Sequence, residues 1–510
     1  YATGASNNAV TVTGAGSVWS NTSDLYVGRG GAGNQLTITN GGKVYNTLGY
    51  IGYATGASNN AVTVTGAGSV WSNTSDLYVG RGGAGNKLTI TNGGAVYARS
   101  VTLGANAVSS NNVLAISGGS SSLITTNTGY GILDVRRGAV TMDSGTLQAK
   151  EVLLTNGAAG TLRMSGGTLA ANSITNGGSS NFVATGGTIQ SLNTNATWSA
   201  ALVLSNGTVT FHTQDVGGAA RTNLVSGALS GNGGLRVAGS GMLTLSSANT
   251  YSGGTTVSNG TLALSGSGTI GTGAVDIKSN GTLNVSGKTT TFTLANAQNL
   301  TNSGAIQGGL IIRSDARVTG GGSYAGAVTN QSGGFLTPGG GGHTNHIASL
   351  MLEGGSINSF AIGPTWQTHD MSIVTNGLTG NGGHPLLQLD LSGYTQNMAD
   401  SNNVIVLYQN IGSSVFDGTN DWFQLSDPGG LNDGWNLHNG TCIFVTGGNA
   451  SQTNAFTMHY NYDVGTGTFT GNDIVLTVIP EPASALVMVL GCGLLVARRR
   501  WKKTINPHGR

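Results

Sequence analysis

Apolar and polar positions alternate along the first hundred or so residues in short runs that return at a fixed spacing. Ala9-Val10-Thr11-Val12-Thr13 is followed by Gln35-Leu36-Thr37-Ile38-Thr39, and both return as Ala61-Val62-Thr63-Val64-Thr65 and Lys87-Leu88-Thr89-Ile90-Thr91. An apolar residue alternating with Thr has period two, which predicts strands with one buried face. Val10 and Val12 then point inward, while Thr11, Thr13, Thr37, Thr39, Thr63, Thr65, Thr89 and Thr91 point outward. Asn8, Asn34, Asn60 and Asn86 open the blocks, and Gly16, Gly42, Gly68 and Gly94 follow each at the same distance. Val and an aromatic come next: Val18-Trp19, Val44-Tyr45, Val70-Trp71 and Val96-Tyr97. Residues 53–92 repeat residues 1–40 with one change, Gln35 to Lys87, so a long period of 52 contains a half-period of 26. A fifth, degenerate copy begins at Asn112.

Gly and Asn cluster between these strands, where tight corners need positive φ. A 26-residue unit of short strands and such corners has the size of one coil of a parallel β-solenoid. A single coil cannot bury its own inward face, and stacked neighbours do so. Further along, Gly145-Thr146-Leu147, Gly167-Thr168-Leu169 and Gly187-Thr188-Ile189 shorten the spacing to 20–22 residues. Coils rising about 4.8 Å each would build a rod on the order of 60 Å. Residues 1–345 therefore read as a repetitive β-solenoid, with a Gly-rich boundary near 319–345. The recurring Trp and Tyr predict an aromatic stack in or along it. Residues 346–478, with runs such as Pro385–Leu391, Val404–Tyr408 and Phe456–Tyr460, read as an acidic β-rich terminal domain. It would cap the solenoid or pack beside it, blocking edge-to-edge association. No stretch before the C-terminal tail has helical periodicity, so the expected fold class is all-β.

Composition sharpens this picture. Gly accounts for 88 of 510 residues and charged residues for only 8%, against about 25% charged in ordinary domains. Absence of a three-residue Gly period excludes collagen. A net charge of +2 does not mark a nucleic-acid binder. Cys442 and Cys492 are too few for a disulfide framework. Charge is nonetheless uneven: Val318 to Ala497 holds no Lys or Arg but 11 acidic residues, and the last 13 residues hold six basic ones. The chain opens at Tyr1 inside a repeat, and it reads as a fragment or processed product lacking its N-terminus and signal peptide.

Gly234 to Leu262 carries Gly241-Met242-Leu243-Thr244-Leu245-Ser246, Asn249-Thr250-Tyr251-Ser252-Gly253-Gly254-Thr255-Thr256-Val257 and Gly260-Thr261-Leu262. This stretch resembles the autotransporter-associated β-strand repeat. The resemblance implies a right-handed β-helix in an exported protein, and it brings no catalytic residues. A self-sufficient autotransporter ends in a barrel of amphipathic strands, unlike this chain.

The tail is different. Pro480-Glu481-Pro482 precedes the uncharged Ala483–Ala497, followed by Arg498, Arg499, Arg500, Trp501, Lys502 and Lys503. As a helix the apolar part spans about 22 Å, short of the roughly 30 Å hydrocarbon core. Snorkelling Arg and Lys would still let it hold the membrane. A single short transmembrane helix over 483–497 is therefore expected, its basic end in the cytoplasm and the bulk of the chain outside. An ordinary anchor is the plain alternative. The triad of motif, apolar run and basic end resembles the PEP-CTERM sorting signal. That resemblance implies an exosortase-type membrane protease as partner, which removes the tail near Pro480, Glu481 and Pro482. The precursor would be anchored in the inner membrane, and the mature chain would keep only Cys442.

Enzymatic chemistry is thinly represented, and the reading is a non-enzyme without cofactor or metal. β-Helical polysaccharide lyases need clustered Asp and a basic residue. Here the acids before residue 345 are sparse, and Asp24 and Asp76 are repeat copies of one position. His343 and His346 form a lone His-x-x-His in a Gly-rich linker, read as exposed polar residues. Gly281 to Gly287-Lys288-Thr289 misses the P-loop spacing. Asp417, Asp421, Asp427 and Asp433 miss the EF-hand pattern and read as a solvated acidic face. The expectation is an exported structural or adhesin-like surface or matrix protein. A carbohydrate-binding or polysaccharide-degrading β-helix, with extracellular polysaccharide as partner, is the first alternative. The second is ice binding by the Thr-x-Thr ladder, which resembles the flat faces of β-solenoid antifreeze proteins, although Thr is also the default exposed strand residue.

Overall fold

A computed structural model describes residues 4–479 apart from 126–130, 155–158, 178–180, 340–341, 364–366, 382, 392–403, 413–421, 427–435 and 447–452. It divides into two compact units, Tyr1–Thr289 and Thr290–Arg510. Among the described residues every regular element is a strand.

In the first unit each early coil has three strands. The first coil contributes β1 (Ala9–Thr13), β2 (Val18–Ser20) and β3 (Leu25–Val27). Each pairs in parallel with its counterpart one coil on. Counterparts of β1 line up as a ten-stranded parallel sheet reaching Leu229–Gly231. The chain is thus a parallel β-solenoid, as the period-two runs predict. Leu36, Ile38, Val62, Val64, Leu88 and Ile90 are at most 2% exposed, while the Thr between them face out. In the first described coil Val10 and Val18 are 44% and 57% exposed.

The three faces keep different counts. On the β1 face the partner lies 26 residues on, as in Val10↔Leu36 and Leu36↔Val62. On the β2 face the offset alternates, 25 for Trp19↔Val44 and 27 for Val44↔Trp71. On the β3 face it alternates between 24 for Tyr26↔Tyr50 and 28 for Tyr50↔Tyr78. A shift of one residue turns a strand side chain to the other face. The expected stack of alternating Trp and Tyr therefore does not form. Trp71 is fully buried against Val44 and Val96, whereas Tyr45 turns outward, 37% exposed, between Ser20 and Ser72. The Trp71 indole N–H donates to Asn46 Oδ1 at 2.8 Å, and the Asn46 amide donates to Asn73 Oδ1 at 2.7 Å.

The Asn that opens each block is an internal splice between coils. The backbone N–H of Asn34 donates to Asn60 Oδ1 at 2.8 Å, that of Asn60 to Asn86 Oδ1 at 2.9 Å, and that of Asn86 to Asn112 Oδ1 at 2.9 Å. The side-chain amides run parallel to these bonds. Gly52, at φ +78°, gives Asn86 its room, since a Cβ there would overlap the Asn86 amide.

Later coils shorten as the sequence indicates, with Val140↔Leu162 and Leu162↔Phe182 separated by 22 and 20 residues. Corners straighten until single long strands such as Thr255–Gly266 and Val275–Lys288 carry two faces.

In the second unit parallel pairing continues through the Gly-rich stretch read as a boundary. Ser323–Asn330 pairs with Thr344–Glu353, that strand with Met371–Asn381, and that one with Val404–Asn410. Tyr324, Ile347 and Val374 stand in one inward column, all at most 2% exposed. The glycines here join coils, because apolar partners lie on both sides of them. Parallel order changes at Val404–Asn410, which takes Thr468–Val478 as an antiparallel neighbour. Thr453–Asp463 and Cys442–Thr446 extend that antiparallel layer. Its core holds Tyr408 parallel to Phe423 at 5.9 Å and Phe423 parallel to Tyr460 at 6.5 Å. The Tyr460 hydroxyl donates to the Leu437 carbonyl at 2.6 Å and accepts from the Phe423 N–H at 3.0 Å.

Pro480, Glu481, Pro482, the apolar run 483–497, Arg498, Arg499, Arg500, Lys502 and Lys503 lie outside the described residues, as do Asp417, Asp421, Asp427 and Asp433. Among the described residues no helix is long and apolar enough to cross a membrane.

The Asn splice has a measurable consequence. Asn60→Ala strips an acceptor from two buried Asn34 donors and should lower stability by about 1–3 kcal/mol in urea unfolding. Thr63→Ala, an outward change on the same strand, should stay within about 0.5 kcal/mol. Equal effects would remove the splice from the account.

Candidate functional site

Outside the core, a cluster of polar and aromatic groups lies on the β3 face among the described residues. Leu25-Tyr26-Val27-Gly28-Arg29 recurs as Leu77-Tyr78-Val79-Gly80-Arg81, with Gly49-Tyr50-Ile51-Gly52-Tyr53 between them. Leu25, Val27, Ile51, Leu77 and Val79 fill the core. Alternation then places Tyr26, Tyr50 and Tyr78 outward in one column. Tyr26 and Tyr50 stack with centroids 4.9 Å apart and planes 8° from parallel, and Tyr50 and Tyr78 stack at 5.2 Å and 10°. Strand spacing in a parallel sheet, about 4.8 Å, is close to this stacking distance, so the coil rise itself sets the contact.

After each Tyr a glycine turns the chain back beside the column. Tyr53 meets the edges of Tyr26 and Tyr50 at 5.2 Å and 5.1 Å, nearly perpendicular to both. The Arg81 guanidinium lies 4.6 Å from the Tyr53 centroid, and that of Arg29 lies 5.7 Å from Tyr26. Both distances fall within cation–π range. Asp24 Oδ2 accepts the Tyr26 hydroxyl at 2.9 Å. Asp76, its copy one long repeat on, is instead held by Arg99 through two bonds of 2.9 Å and 2.7 Å. The column continues through Thr102 to Asp134, which Arg136 engages at 2.7 Å.

Burial, and then the hydrogen bond to Asp24, push the Tyr26 phenol up to about 12. Burial first, then the Asp24 charge, also raises Tyr50. These phenols therefore stay protonated donors throughout the physiological range. The Tyr26 proton is already committed to Asp24 and Tyr50 is 9% exposed, so the outward chemistry of this face comes from the half-buried Tyr53 and Tyr78 and from the Arg29 and Arg81 guanidinium groups.

The Thr ladder anticipated from the sequence is brought into register. Thr11, Thr37, Thr63 and Thr89 form one column and Thr13, Thr39, Thr65 and Thr91 another. The first column ends at Ala115, and the Ser117 hydroxyl donates to Thr91 Oγ1 at 3.2 Å. Asn40 and Asn92 amides donate to Thr13 and Thr65. His343 and His346 are both exposed, and the His343 backbone N–H donates to Asp370 Oδ1 at 3.1 Å. The Tyr–Arg cluster escapes a reading that holds the half-period at 26, because its rungs alternate between 24 and 28. The signal that finds it is the recurring Leu-Tyr-Val-Gly-Arg.

Residues 235–264 match the family model of the passenger-associated-transport-repeat. No curated protein matches the chain. The matched repeat sits as a regular coil, Leu235 pairing with Thr255 and Met242 with Thr261. Its Asn-Thr-Tyr segment makes the corner. Asn249 Oδ1 accepts the Leu229 N–H at 2.8 Å, and the fully buried Tyr251 hydroxyl bonds to Thr255 Oγ1 at 2.7 Å. The match supports an autotransporter-associated repeat in a β-helical, passenger-like chain.

Alkaline titration followed at 295 nm should show a phenol ionising near pH 12. Asp24→Ala removes both the acceptor and the charge and should bring that step down; an unmoved titration would detach Asp24 from Tyr26.

Proposed function

We propose that this chain is an exported cell-surface or extracellular-matrix protein whose stacked coils play a structural, adhesin-like part. The passenger-type repeat at 235–264, seated as a regular coil, is the observation that carries this reading. Two features support it. Inward rows are sealed coil to coil, which leaves few points for proteases to enter. Antiparallel partners, Thr468–Val478 and Asn436–Leu437, cover the outer sides of Val404–Asn410 and Phe423–Leu425, the last parallel-paired strands among the described residues of the second unit. Sorting is assigned to the Pro480-Glu481-Pro482 tail, with the run 483–497 as membrane anchor before an exosortase-type protease removes it. Intact mass of the protein recovered from the surface or matrix of its native cells tests both steps. A mass lacking Ala483–Arg510 is expected. A retained tail would reduce it to a plain anchor, and recovery only from the cytoplasm would overturn the export reading.

A second reading, ice binding, is favoured by one observation, the in-register Thr columns on a parallel sheet. Thermal hysteresis of the purified chain, lost in Thr37→Leu/Thr63→Leu, is its expected signature. Zero hysteresis in the parent removes it.

A further inference from the structure

We infer that the column of Tyr26, Tyr50, Tyr53 and Tyr78 with Arg29 and Arg81 is a binding surface for a linear acidic polysaccharide carrying carboxylates at regular intervals. This deepens the adhesin-like reading and rests on it only for placing the chain among extracellular polymers.

The first support is periodicity. Arg29 and Arg81 are separated by one 52-residue repeat, or two coils, and so by about 9.6 Å along the axis. That is close to the length of a disaccharide unit. A polymer with one carboxylate per disaccharide, laid along the axis, meets a guanidinium at each repeat. Guanidinium is the side chain best matched to a carboxylate, through paired N–H donors.

The second support is what lies between the two cations. Tyr53 lies beneath the Arg81 guanidinium and stands nearly perpendicular to Tyr26 and Tyr50. Among the described residues the Tyr26 hydroxyl alone of the four has a side-chain acceptor, Asp24. The hydroxyls of the half-buried Tyr53 and Tyr78 remain to bond sugar hydroxyls, while Tyr50, only 9% exposed, supports the stack from within; aromatic rings offer apolar area to sugar C–H faces. Asp76 is paired by Arg99, and Asp24, bonded to the Tyr26 hydroxyl, is the carboxylate of this face that the Arg29 and Arg81 charges must outweigh.

The third support excludes a peptide in this place. An extended peptide binds by adding a strand to a free sheet edge. Here the strand backbones are paired above and below, as Gly49–Ile51 is with Leu25–Val27 and Leu77–Val79. Only side chains are on offer, in a line, which suits a polymer recognised by its hydroxyl and carboxylate groups.

Titration calorimetry of the purified full chain with hyaluronan oligosaccharides, which carry one carboxylate per disaccharide, and with neutral xylan oligosaccharides of equal length, tests the inference in low salt. Binding of the acidic series alone is expected. Arg29→Gln/Arg81→Gln should weaken it at least tenfold, as should Tyr53→Ala, with the melting temperature of the double variant unchanged. Lys87→Gln, which removes an exposed cation from the β1 face, should bind as the parent does. Equal weakening in Lys87→Gln would show diffuse charge attraction, and would overturn the site. So would comparable binding of the neutral series, an unaffected double variant, or binding of neither series. Because the measurement uses purified protein, its failure leaves the export reading standing, and failure of export leaves the binding result intact.

Discussion

Each coil of this protein depends on its neighbour for burial. An inward row such as Leu36 and Ile38 is covered from the coils on either side. It reaches near-zero exposure through Val10 and Val12 on one side and Val62 and Val64 on the other. Register between coils is therefore the constraint on which the rest depends. A slip of one residue would send apolar side chains to water and Thr to the core. The Asn34, Asn60, Asn86 and Asn112 chain resists such a slip, because each amide oxygen accepts from the preceding Asn's buried N–H only in the correct register.

The same rise that packs the core organises the surface. Residues spaced along a strand become columns once coils stack, and a column repeats at the strand spacing. Thr gives two hydroxyl columns on one face, and Tyr gives an aromatic stack on another. A scaffold of this type turns a repeated short motif into a periodic surface without any extra loop. Periodic surfaces suit periodic ligands, and the proposed polymer site uses that match.

Much of the coil was legible beforehand. The apolar–Thr alternation gave the buried and outward positions of Ala61–Thr65 and Lys87–Thr91, and Gly and Asn marked the corners; Asn40 and Asn92 adopt positive φ where Gly14 and Gly66 do in alternate coils. The segment resembling an autotransporter-associated repeat coincides with the matched 235–264 coil. Trp and Tyr were misjudged, because block alignment at 26 hides the 25 and 27 offsets that bury Trp71 and expose Tyr45. The Gly-rich stretch before residue 345 was also misleading, since glycine marks a corner and a linker equally well.

By itself, the sequence determined the strand faces, the corners and the repeat length, because each follows from local chemistry: side-chain alternation, positive φ and self-similarity. Which residues meet across coils was decided only by the tertiary structure. Corner lengths differ between faces, and offsets of 24 and 28 around a mean of 26 emerge only when each coil must close over the one before it. The stacking of Tyr26, Tyr50 and Tyr78, the chain of asparagines and the turn to antiparallel pairing at Val404–Asn410 all depend on that closure.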